Sequence, residues 1–127
     1  MKPVPRISEA EWEVMKVVWK TAPCQARDIS QALAARFKWT PATVKTFLNR
    51  LLAKGALRFE KRGRAYFYSP AHTEEELRAT EADSFLRRVF DGAFSPMISH
   101  FVQSRRLTPK EWEALEQIVR ERKKTPP

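Results

Sequence analysis

Six side chains between Ala42 and Arg50 carry most of the chemistry this sequence has to offer. Ala42, Thr43, Lys45, Thr46, Asn49 and Arg50 are small, hydrogen-bonding or cationic, and they interleave with Val44, Leu48 and Leu51 at i, i+4 and i+7. On a helix that spacing separates an apolar stripe from an opposite face of hydroxyl, amide, ammonium and guanidinium groups. Such a face can approach a duplex closely and bond to base edges and phosphates in the major groove. An ordinary solvent-facing helix would carry the same pattern, so the surroundings must decide. The helix is well marked: Thr40 can cap the free amides of its first turn, Pro41 suits the first helical position, and Gly55 suits a left-handed stop.

Other chemistries find little material. His72 and His100 stand 28 positions apart and read as having no cysteine or carboxylate at ligand spacing, which leaves no metal set or catalytic pair. Gly55, Gly63 and Gly92 are too dispersed to build a phosphate loop. Glu74, Glu75 and Glu76, like Glu111 and Glu113, fall at helix starts, where acidic groups favour the helix dipole. The single cysteine, Cys24, excludes an internal disulfide and any multi-cysteine cage; just before a helix, it suits capping or packing. No enzyme activity, metal or cofactor is expected.

Charge distribution sharpens the reading. Residues 1–72 hold 14 Lys and Arg against 5 Asp and Glu, whereas residues 73–127 hold 10 of each, so the whole net charge of +9 sits in the first part. A basic segment beside a neutral one is the footprint of a polyanion-binding domain joined to something else, the alternative being a charged face that merely meets solvent. No apolar run approaches the roughly 18–20 residues that cross a bilayer, and Met1 to Ile7 lacks a signal-peptide core, so the expected location is the cytoplasm.

The elements that must position the polar face follow from periodicity. A capping box of Ser8 and Glu11 opens a helix from about Ser8 to Lys20, in which Trp12, Met15 and Trp19 follow at i, i+3 and i+7 and the two tryptophans are expected in the core. After Pro23, Ile29, Leu33 and Phe37 predict a second helix from about Ala26 to Phe37, and the Pro41–Lys54 helix follows. Past Gly55 the period drops to two. Leu57 and Phe59 alternate with Arg58 and Glu60, Arg62-Gly63 supplies a turn, and Ala65 to Tyr68 return as an aromatic strand expected to pack on the domain. Three helices and a hairpin in this order give a mainly α winged helix-turn-helix over residues 1–72, with the third helix in the major groove and Arg62 and Arg64 of the wing on the flanking backbone or minor groove.

Residues 73–127 read as a helical dimerisation domain of three helices. Capping boxes at Thr73/Glu76 and Thr108/Glu111 open helices from about Thr73 to Phe90 and Pro109 to Lys123, and Lys123 to Pro127 should fray. Phe85, Leu86, Val89 and Phe90 form one apolar stripe and Trp112, Leu115 and Val119 another, with Phe94, Ile98 and Phe101 between them. So small a piece cannot hide that much apolar surface alone; a second copy of the chain would cover it, as would folding back onto the winged domain.

The string Ile7-Ser8-Glu9-Ala10-Glu11-Trp12-Glu13-Val14-Met15 with Val18-Trp19, then Trp39 to Thr46, Arg50-Leu51 and Lys54-Gly55, resembles the penicillinase-repressor family. The resemblance spans nearly the whole chain and is most specific in the first 70 residues. It implies a bacterial homodimeric winged-helix repressor that binds a palindromic operator in double-stranded DNA, with C-terminal helices building the dimer. Carried over, the family's DNA-contacting helix falls on Thr43, Lys45, Thr46 and Arg50. The copper-responsive branch has paired cysteines near its C-terminus, which this chain lacks, so metal sensing by that route is excluded. The penicillin-responsive branch, tied to antibiotic resistance, is inactivated by proteolysis of an Asn-Phe bond between the dimer helices. The matching segment, Phe94 to Val102, carries His100-Phe101, with histidine in place of the asparagine. That bond is the candidate cleavage site and a membrane sensor protease the candidate partner. The alternative to a repressor is a basic interaction module that binds RNA or a partner protein without reading DNA sequence.

Overall fold

A computed structural model describes residues 4–124 as six helices and one hairpin: α1 Glu9–Thr21, α2 Ala26–Ala34, α3 Pro41–Lys54, β1 Leu57–Arg62, β2 Ala65–Pro70, α4 Glu74–Phe90, α5 Phe94–Ser104 and α6 Pro109–Lys124. The chain divides into two compact units, Met1–Ser84 and Phe85–Pro127, and α4 begins in the first and ends in the second. The first unit is a winged helix-turn-helix. Its core gathers Val14, Met15 and Val18 of α1, Ile29 and Leu33 of α2, Val44, Leu48 and Leu51 of α3, Leu57 and Tyr68 of the hairpin, and Leu77 of α4. Each fully buried aliphatic chain contributes about 1.5–3 kcal/mol, so the three from α3 anchor that helix firmly.

Local signals account for most boundaries. Ser8 Oγ accepts from Glu11 N while Ser8 N donates to Glu11 Oε1, the reciprocal cap that starts α1. The tryptophans of α1, expected in the core, pack against its edge: both are half-buried, meet edge to face at 5.4 Å, and Trp19 Nε1 donates to His72 O. The fully buried residues of the helix are Glu11, Val14, Met15 and Val18. Likewise α2 stops at Ala34, short of Phe37. Leu33 O accepts both Arg36 N and Phe37 N, the chain turns, and the Phe37 ring stacks on Trp39 at 4.2 Å. Cys24 is buried and its backbone pairs with Tyr68 on both sides, so its role is packing; the cap of α2 falls to Gln25.

The first unit continues past residue 72 because Leu77, fully buried, belongs to its core. The second unit has the opposite character. Neither α5 nor α6 has a buried residue. Within it Phe85 meets Phe90 at 5.8 Å and Phe101 at 6.2 Å, yet Val89, Phe94, Ile118 and Val119 are each about half exposed or more (49–64%). Lys123 and Lys124, expected to fray, close α6; Thr125, Pro126 and Pro127 lie outside the described residues.

Candidate nucleic-acid interface

The cap and stop of α3 set the direction of its polar face. Thr40 Oγ1 accepts from Thr43 N at 3.1 Å, Pro41 takes the first helical position, and Gly55 closes the helix at φ 81° with its N–H on Leu51 and Leu52 carbonyls. With Val44, Leu48 and Leu51 buried, Ala42, Lys45, Thr46, Asn49 and Arg50 are exposed together. Thr43 is half-buried, its hydroxyl 3.1 Å from that of Thr40, so it is held by the cap. Thr46 Oγ1 donates to Ala42 O, which turns its lone pairs outward as acceptors. Asn49 and Arg50 have no partner among the described residues and remain free for a ligand.

At its far end α3 is tied to α1. Lys54 Nζ lies 2.5 Å from Glu11 Oε1, and the Glu11 side chain is 2% exposed. Burial pushes this carboxyl up, but the Lys54 ammonium and the Ser8 N–H outweigh it and hold it below the usual carboxylate range. The Cys24 thiol is pushed up by burial, the state of an inert packing cysteine.

The wing is an antiparallel hairpin in which Arg62 pairs with Ala65, leaving Gly63-Arg64 as the loop rather than Arg62-Gly63. Gly63 at φ +62° in the first loop position fits a type II′ turn, which follows the strand twist. Arg64 stands at the tip, exposed and without a partner among the described residues. Arg62 is engaged, its guanidinium 4.9 Å from the Phe67 ring centre and 3.4 Å from Glu60 Oε2.

The expected packing of the aromatic strand holds only for Tyr68, which is 2% exposed. Phe59 and Tyr66 are 51% and 40% exposed and meet edge to face at 5.2 Å. With Lys61 they share the hairpin face that carries Tyr68, and together with Lys45, Asn49 and Leu52 of α3 they line a groove of about 410 Å³. Lys45 does not simply point at solvent. Its Nζ lies 2.8 Å from Tyr68 Oη and 5.5 Å from both the Tyr66 and Tyr68 ring centres. Sequence reasoning missed this cluster, although the period-two placement of Phe59/Lys61 opposite Tyr68/Tyr66 is its signal.

His72, read as lacking a carboxylate, has one a helical turn away, Glu76 Oε2 at 3.1 Å. The pair forms no cluster of three metal-ligating groups among the described residues. Among the described residues no helix is long and apolar enough to cross a membrane.

A family model described as "Penicillinase repressor" matches residues 7–121. The chain belongs to the penicillinase repressor family. The Bacillus licheniformis penicillinase repressor is 37% identical over 97% of this chain and 96% of its own length. The methicillin resistance regulatory protein MecI of Mammaliicoccus sciuri is 29% identical over 89% of this chain and 92% of its own. Among solved structures, B. licheniformis BlaI in monomeric form bound to the blaP half-operator superposes with TM-score 0.52 at 42% identity, covering 60% of this chain and 93% of that one. The DNA-binding domain of BlaI superposes with TM-score 0.53 at the same identity. Membership makes the chain a DNA-binding transcriptional repressor and not an enzyme.

Proposed function

We propose that this repressor binds a palindromic operator as a homodimer, each α3 entering a major groove. Arg50, Asn49 and Thr46 meet base edges there, while Arg64 and Arg62 reach the flanking phosphates or the minor groove. The observation that carries this reading is the free guanidinium and amide of Arg50 and Asn49 on the same face as Thr46, beside a wing tipped by an unpaired Arg64. A base-stacking RNA platform is disfavoured although Phe59 and Tyr66 are exposed: their rings occupy one another, and the ammonium groups of Lys45 and Lys61 lie over Tyr66.

The second compact unit, residues 85–127, supplies the dimer contact in this proposal. Its support is the apolar surface of α5 and α6, neither of which buries a residue in the single chain. Release proceeds by cleavage between His100 and Phe101, with a membrane sensor protease as partner. Both residues are exposed, but they lie within α5, so the helix must open locally before a protease can hold the chain extended. The experiment for the whole reading is footprinting on DNA upstream of the protein's own gene. Two protected half-sites one helical turn apart, or a multiple of it, are expected; a single site, or uniform protection without sequence preference, would refute it.

A further inference from the structure

In the groove between α3 and the wing an exposed lysine, Lys45, donates to the hydroxyl of a buried tyrosine, Tyr68. We propose that Tyr68 is a positioning residue that turns Lys45 from a general phosphate contact into a sequence-discriminating one. The inference rests on the reading of α3 as the operator-contacting helix.

Tyr68 is suited to hold something still. It is 2% exposed, and its backbone is locked to Cys24 by two hydrogen bonds, Cys24 N to Tyr68 O at 3.1 Å and Tyr68 N to Cys24 O at 2.7 Å. Its hydroxyl accepts from Lys45 Nζ at 2.8 Å, and the Tyr66 ring adds its face 5.5 Å away. A free lysine is a flexible point charge that serves any phosphate within reach. A lysine with one N–H committed to a rigid hydroxyl keeps two donors whose directions are set by the wing and by α3 together. It loses less rotamer freedom on meeting an acceptor in register and gains little from one out of register. Asn49 and Arg50 on the same face have no such restraint among the described residues.

The test is a double-mutant cycle on the full chain with Lys45→Met, Tyr68→Phe and the pair. The probes are a duplex selected from a random pool by the wild-type protein and a scrambled duplex of equal composition. Tyr68→Phe keeps the buried ring, and thermal unfolding will verify that the fold is intact. It should weaken the selected duplex about five-fold, equivalent to about 1 kcal/mol, and the scrambled one less than two-fold, since the charge remains. In the Lys45→Met background Tyr68→Phe should change neither. Wild-type affinity for Tyr68→Phe, or a loss of the same size with Lys45 already removed, overturns the proposal. Arg50→Ala is the control arm. If it weakens only the selected duplex, the helix reading stands whatever Tyr68 does; if it weakens both alike, that reading fails and the proposal with it.

Discussion

The Glu11–Lys54 pair should respond asymmetrically to removal of its two members, only one of which leaves a titrating carboxyl behind. It joins the start of α1 to the last turn of α3, the helix proposed to contact DNA, and so fixes where that helix ends. Glu11 is the dry member at 2% side-chain exposure, whereas Lys54 is 38% exposed. Lys54→Met keeps the packing stem but strands a carboxylate held only by Ser8, whose N–H lies 2.7 Å away. The cost of an uncompensated buried charge is about 3 kcal/mol, plus about 0.5 kcal/mol for the lost cation at the helix C-terminus. Glu11→Gln leaves an amide oxygen to accept from Ser8 N and an ammonium that water can reach, so about 1.5 kcal/mol is expected. The sign in pH follows from the shift. The folded carboxyl titrates below its unfolded value, so its stabilisation is complete above the ordinary carboxylate range and drains away as pH falls through the lowered value. Without Lys54, burial acts against the Ser8 hydrogen bonds alone and the downward shift shrinks, so acidification should cost Lys54→Met less than it costs the wild-type chain. Urea unfolding at pH 7 and pH 4 would read this in a Trp112→Phe background, where Trp12, Trp19 and Trp39 of the first unit supply the fluorescence. Equal losses for the two variants at pH 7, with parallel pH dependences, would refute the reasoning.

Four further outcomes are expected. Val89→Glu or Leu115→Glu places a carboxylate in the apolar surface of the second unit, so sedimentation should show monomers; a fragment of residues 1–84 as dimeric as the full chain would put the interface elsewhere. Thr46→Ala or Arg50→Ala should lose about 1–3 kcal/mol on operator and little on random DNA. Arg62→Ala or Arg64→Ala should weaken both DNAs and flatten the salt slope by about one unit per phosphate contact, and identical behaviour of the two groups would remove the distinction between helix and wing. Mass spectrometry of the protein in its native cells before and after β-lactam exposure should find a break at His100-Phe101, and an intact chain during derepression would rule cleavage out.

What the sequence made legible was whatever short-range rules control. The caps at Ser8/Glu11, Thr40 and Thr73/Glu76 and the stop at Gly55 mark helix ends within a residue, because each depends on side chains three or four positions apart. The order of helices and hairpin followed from the change of period after Gly55. Burial was less legible. Trp12 and Trp19 share α1 with Val14 and Val18, and either stripe could have faced the core; in the fold Val14, Met15 and Val18 are fully buried and the tryptophans pack at the core's edge, a division set by residues far along the chain. Phe37 left its helix for a stacking partner, Trp39, that periodicity within α2 cannot anticipate.

The polar face shows the same division. Its residues could be named from spacing alone, but the state of each depends on long-range neighbours. Lys45 and Arg50 are both cations on the exposed side of α3, yet only Lys45 comes within reach of a wing hydroxyl 23 positions along the chain. Arg62 and Arg64 are two residues apart, but the strand pairing lays Arg62 over Phe67 while the turn leaves Arg64 free. Equal charges close together in sequence therefore arrive at the surface with unequal freedom. Since a restrained cation favours one acceptor geometry and a free one accepts many, the fold can divide discrimination and attraction among side chains of the same chemical type.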